Sequence, residues 1–245
     1  MEITPDFSAL GLVLTVPLIG YVLVEGLVGK RTYDRMLQDR DRDPAALARM
    51  LRVWIALSWA ATAVAVAVLA VSPGTAAADL GLRPPDDPSA TISLLVAAGL
   101  GLLFAGLFLG WNARRGKPLQ GAITEMHPRT PTERAWMLGM AVTAGICEEV
   151  VYRGFLIAVG VGVLGLDVKV AAGLALALFV LGHAYQGWRG MFPVAAAGFG
   201  LTYLYLSTGS LLAAVAVHIA IDVLALVVVP MFTARPETPA AKAVS

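Results

Sequence analysis

Residues 143–155 read TAGICEEVVYRGF. Two adjacent glutamates and an arginine stand inside a long apolar run, where a charged side chain costs at least about 2.5–3.5 kcal/mol on insertion scales. Glu149 and Arg153 are four residues apart, so a helix sets them on one face and lets them pair. Glu148 lies about 100° round the same helix and is the glutamate left free. Two of the three histidines give it company. FVLGHAYQG places His183 late in one apolar helix, one turn after Phe179, and AVAVHIAIDVLALVVV places His218 and Asp222 four apart on another. Polar groups buried in a membrane bundle face its interior and find each other. One shared pocket is therefore expected, at the depth of Glu148 and His218 and open to the side nearer His183.

Two chemistries fit this set. A glutamate acts as general base toward water while a histidine assists, or later protonates a leaving amine. Alternatively His183, His218, Asp222 and Glu148 hold a zinc ion with a position open for water. The HExxH pattern that would give zinc a local signature is missing from the sequence. Cys147 adjoins the glutamates, but thiol catalysis needs an activated thiolate, and a small helix-packing residue is the simpler reading. Tyr152 and Phe179 read as packing residues, with Tyr152 a candidate for the pocket lining. His127, in the polar stretch EMHPRTP, reads as solvated.

The elements that must position these residues are transmembrane helices. Of the 245 residues, 58% are hydrophobic and 14% charged, against about 25% charged in soluble domains. Apolar blocks at 8–28, 53–72, 91–111, 168–187, 191–206 and 211–232 approach the roughly 20 residues that span a bilayer. The run from Arg134 to Gly165 is either one tilted or kinked helix, with Gly154, Gly160 and Gly162 as weak points, or two short spans. The first gives seven spans and the second eight. The expected fold is thus an all-α, polytopic transmembrane bundle of about seven spans. Basic residues crowd the stretches 30–52 and 114–134, whereas the stretch 73–90 holds one arginine. The positive-inside rule then puts the N-terminus outside and both basic loops in the cytoplasm. The acidic start MEITPDF is unlike a signal peptide. The 31–50 loop is expected to form a short surface helix. The expected division is a three-span region over 1–133, a catalytic helical core over 134–232 and a disordered cytoplasmic tail over 233–245.

EEVVYR, FVLGH and HIAID fit the patterns EExxxR, FxxxH and HxxxD/N. In this order, on successive apolar helices, they resemble the CAAX protease and bacteriocin-processing (CPBP, or Abi) family of type II CAAX prenyl endopeptidase-like proteins. The resemblance covers about residues 134–230. It implies an intramembrane endopeptidase acting on a membrane-associated protein or a leader or sorting peptide. Glu148 would be the base that activates water, with His183 its partner. Glu149 and Arg153 would complete the first motif, and His218 and Asp222 would form the far wall. The family is described both as metal-dependent and as using a metal-free glutamate mechanism; the latter is the expectation here. Eukaryotic members carry Asn where this chain has Asp222. A carboxylate only accepts hydrogen bonds, so Asp222 is expected to orient His218 or bind a metal, with His218 donating to the oxyanion.

Two other classes stand beside this one. A non-catalytic adaptor that holds a partner protein would tolerate loss of the motif residues, all of which are present. An ion-coupled transporter would show paired halves with broken helices, but here the polar residues fall in the second half. A net charge of +1 carries no nucleic-acid signal, and the single cysteine excludes an intrachain disulfide. Richness in Ala, Val, Leu, Gly and Arg points to a high-GC bacterium, hence with the apolar spans to a bacterial plasma membrane; His183, nearer the cytoplasmic face, sets the expectation of a site open to the cytoplasm.

Overall fold

The computed structural model describes residues 1–115 and 122–233. Its long helices are α1 (Ala9–Asp39), α2 (Ala46–Ala70), α3 (Pro88–Arg114), α4 (131–162), α5 (Val168–Gly182), α6 (Gly187–Thr208) and α7 (211–233). Among the described residues the only β feature is an isolated bridge between Asp6 and Gly74. By length and composition, five helices can cross a membrane: Ala9–Asp39, Ala46–Ala70, Pro88–Asn112, Ala184–Thr208 and Leu211–Phe232. Helix α5 is apolar but shorter, and α4 carries the charges of the EEVVYR segment in its middle.

The 134–165 run forms one helix rather than two. Thr130 caps it by accepting the Glu133 amide at 3.2 Å, and Pro131 sits at its first position, where a missing N–H costs nothing. The helix keeps α geometry over Pro131–Glu148, widens into a π segment over Glu149–Leu156, and returns to α over Ile157–Gly162. Of the expected weak points, only Gly154 falls in the irregular segment. At Gly162 an added Cβ would lie 2.3 Å from the Pro5 carbonyl oxygen, so the helix ends against the N-terminal strap.

The 31–50 stretch does not form a separate surface helix. Helix α1 simply continues to Asp39. Its extra turns bury Tyr33 and Met36 against Leu47, Leu51, Met126 and Met137, and an exposed Lys30–Asp34 pair four residues apart supports the outer face. The α1–α2 hairpin is tied to the base of α4 by a buried ion pair, Arg40 with Glu133. The same arginine donates to the His127 carbonyl at 2.9 Å. His127 is therefore not a solvated loop residue: its Nε2 is buried without a hydrogen-bond partner, and burial holds its imidazole below the usual range.

At the opposite end, the segment between α2 and α3 folds back over the bundle. Ser210 donates to the Arg83 carbonyl at 2.9 Å and the Leu211 amide to the Gly81 carbonyl at 2.8 Å. Gly81 has φ +73°, and a Cβ there would lie 2.4 Å from the Tyr205 ring, so only glycine fits. Helix α3 lies at the periphery, with Phe104, Leu107 and Phe108 exposed, the pattern of a lipid-facing helix. The tail expected over 233–245, apart from Thr233 at the end of α7, lies outside the described residues.

Candidate active site

Gly145 sets the distance between the two helices that carry most of the site. A Cβ there would lie 2.4 Å from Ile219 Cγ1 and 2.8 Å from the Ile219 amide nitrogen, so α4 and α7 touch backbone to side chain at this level. Ile219 follows His218, and Gly145 precedes Glu149 by one helical turn. The close approach brings His218 Nδ1 within 2.6 Å of Glu149 Oε1. Gly145→Ala should push the helices apart and loosen this contact. A displacement of about 1 Å can cost about 100-fold in rate; turnover of the fully folded variant checks the point.

Glu149 and Arg153 form the expected pair, at 2.8 Å and with both side chains essentially inaccessible. Arg153 has further partners. Its Nη2 donates to the Gly198 carbonyl at 3.1 Å, its Nε lies 3.5 Å from Thr202 Oγ1, and its guanidinium sits 4.3 Å above the Phe179 ring. The pair therefore stands behind the cavity wall and locks α4 to α6 and α5. Glu149 Oε1 accepts from both Arg153 and His218. Because an ionised carboxylate only accepts, His218 Nδ1 carries the proton and Nε2 is turned to the other side. There it lies 3.8 Å from Glu148 Oε2 and 3.7 Å from Asp222 Oδ2. The residue that orients His218 is thus Glu149, not Asp222 as the third motif alone implies: Nδ1 is already taken, and Asp222 stands beyond hydrogen-bond length.

Helix α5 ends at Gly182, so His183 sits in its cap rather than inside the helix. Its Nδ1 lies 2.9 Å from the Phe179 carbonyl oxygen. A carbonyl cannot donate, so Nδ1 carries the hydrogen and Nε2 is left uncommitted. Phe179 also stacks near the His183 ring at 4.7 Å and meets His218 edge-on at 6.2 Å.

Glu148, His183, His218 and Asp222 line one cavity of about 270 Å³, whose walls are otherwise mostly apolar. It reaches Trp54, Tyr185 and Met126, at the end of the bundle where the basic 30–52 and 122–134 segments gather. Cys147 lines it too, buried and unpaired. Both π segments begin one residue after a cavity carboxylate, at Glu149 and at Val223. Such segments recur at functional sites because the wider turn re-aims side chains. Among the described residues no group of three or more His, Cys, Asp or Glu is arranged to hold a metal ion.

One carboxylate of the lining lies outside the three motifs. Glu25 of α1 accepts a 2.5 Å hydrogen bond from the Tyr152 hydroxyl and faces the same cavity. Its signal in the sequence is a lone glutamate in the apolar 8–28 block, with no residue of opposite charge one turn away.

No curated protein and no solved structure matches the chain. A family model does: the one for Type II CAAX prenyl endopeptidase Rce1-like proteins covers residues 130–224. This span holds EEVVYR, FVLGH and HIAID on α4, at the end of α5 and on α7, and over these residues the chain is similar to the type II CAAX prenyl endopeptidase Rce1-like family.

Proposed function

We propose that the protein is an intramembrane endopeptidase that hydrolyses a peptide bond in a membrane-associated protein or in a leader or sorting peptide. The observation that carries this reading is the one cavity lined by Glu148, His183 and His218, in a chain whose residues 130–224 match a protease-family model. Glu148 takes a proton from water, and the water oxygen attacks the scissile carbonyl. The 3.8 Å between Glu148 and His218 Nε2 exceeds a direct hydrogen bond but suits two groups that share a water or a carbonyl oxygen. Glu149 stabilises a protonated His218, whose Nε2–H then donates to the oxyanion as charge develops. His183, with Nδ1 fixed on the Phe179 carbonyl, presents a bare Nε2 that takes over the proton Glu148 removed from water and passes it to the leaving amine as the C–N bond breaks, which returns Glu148 to its carboxylate form. Asp222 closes the far side of the site, its Oδ2 3.7 Å from His218 Nε2.

We propose further that the protein lies in a bacterial plasma membrane with seven spans, the N-terminus outside and the cavity facing the cytoplasm. The gathering of basic residues at the cavity end supports this orientation. The test is terminus mapping by mass spectrometry in membranes carrying wild type or His183→Gln, with and without a chelator. His183→Gln should slow the appearance of new termini by about 100-fold, and chelation should leave the wild type unchanged. Loss on chelation with recovery on adding zinc would replace the metal-free mechanism by a metal-dependent one.

A further inference from the structure

The most unusual group outside the motifs is Glu25. Helix α1 lies before the family-matched span of 130–224, and none of the three motifs includes a residue of it. A carboxylate in the middle of an apolar helix is costly and calls for a reason. Its hydrogen-bonding partner is not a cation but the Tyr152 phenol, at 2.5 Å. Tyr152 comes from the catalytic helix α4, four residues after Glu148.

The seat of Glu25 is built by two glycines. A Cβ on Gly182 would lie 2.5 Å from Glu25 Oε1 and 3.2 Å from the Tyr152 hydroxyl. The carboxylate therefore fills the space that a side chain at 182 would need. On α1, a Cβ on Gly26 would lie 2.8 Å from the Leu181 carbonyl oxygen, so the helices meet here at backbone distance. The contact falls on the last residues of α5, directly before His183. From Tyr152 the packing continues: its ring meets Phe179 edge-on at 5.3 Å and 83°, and the Phe179 carbonyl holds His183 Nδ1 at 2.9 Å.

We propose that Glu25 is a positioning residue of the site: seated in the gap left by Gly182, its carboxylate holds the Tyr152 hydroxyl and fixes the Tyr152–Phe179–His183 stack. Helix α1 then completes the active site, and the matched span is not sufficient for it. The part of the proposal that concerns rate rests on the endopeptidase reading above; the part that concerns the His183 turn does not. The role of Glu25 is to accept a hydrogen bond, so an amide oxygen in its place keeps it while an apolar group loses it.

The experiment uses the full-length protein in lipid nanodiscs and in membranes, as wild type, Glu25→Gln, Glu25→Leu and Gly182→Ala. Hydrogen exchange over residues 179–187 reads the order of the His183 turn, and the appearance of Glu148-dependent product termini reads the rate. Glu25→Leu and Gly182→Ala should speed exchange in this segment about fivefold or more and slow product formation at least about tenfold. Glu25→Gln should stay within about twofold of wild type on both, since it still accepts from Tyr152. Gly182→Ala displaces the carboxylate without altering it and serves if Glu25→Leu does not fold. The proposal is overturned if Glu25→Leu and Gly182→Ala exchange like wild type, or if Glu25→Gln fails together with Glu25→Leu, which would make charge the requirement. If no terminus depends on Glu148, the endopeptidase reading falls, and the exchange comparison still decides the role of Glu25.

Discussion

Glu148→Gln should lower the formation of product termini by about 10³–10⁴-fold, the upper part of the range for a lost proton acceptor, and leave the fold intact. The reason lies in how the two adjacent glutamates are used. Glu149 is fully buried, and its Oε1 is occupied by Arg153 and His218. Glu148 keeps about 20% of its side chain accessible and faces the cavity. It is the carboxylate of the pair that can reach water. Gln has nearly the same shape but cannot take the proton, and it leaves the Glu149–His218 contact undisturbed. Terminus mapping in membranes, with thermal unfolding as the control for folding, checks the point. Equal sets of termini from wild type and a folded Glu148→Gln would move the reading to an adaptor that binds a partner through the same cavity.

Arg153→Met should destabilise the protein by about 3–5 kcal/mol, because it leaves a buried charge without its partner. Arg153 is 1% exposed and reaches Glu149 on its own helix, Gly198 and Thr202 on α6, and the face of Phe179 on α5. Removing it leaves the buried Glu149 carboxylate without its permanent cation, with only the His218 contact remaining, and also unties three helices. Arg153→Lys should recover part of the loss at most, since an ammonium lacks the planar fork that serves separated acceptors. Pairing Arg153→Met with Glu149→Gln should be milder than Arg153→Met alone, because no isolated charge remains. Thermal unfolding in detergent or nanodiscs gives all three comparisons. If Arg153→Met matches the double variant, the pair carries no buried-charge penalty.

What the sequence told and withheld follows from the range of its signals. Within one helix, spacing is informative: Glu149 with Arg153, and His218 with Asp222, each share a face because they are four apart. Between helices, spacing is silent. Nothing in EEVVYR or HIAID says that Gly145 lets α7 approach until Glu149 reaches His218, so the local neighbour Asp222 was the natural choice for orienting that histidine. Helix α1 outran its apolar block because Tyr33 and Met36 find partners on α2 and near Met126, a tertiary effect that composition cannot carry. His127 reads as solvated for the same reason: its cover comes from distant chain. Glu25 was visible as a charge in an apolar run, but its meaning depends on Gly182 and Tyr152, more than a hundred residues away.

The π segments have a consequence for descent. A π turn holds about one residue more than the α turn it replaces, so Glu149–Leu156 and Val223–Val228 each fix the length of their helix as well as its path. Deleting one such codon would let the helix relax to α geometry and swing everything beyond it by about 100°. In α4 that would carry the Ile157–Gly162 turns away from the neighbours they now bury against. Related genes should therefore keep the length of these stretches to the residue, and where a kin sequence is one residue short there, its two glutamates and its arginine cannot serve the same geometry.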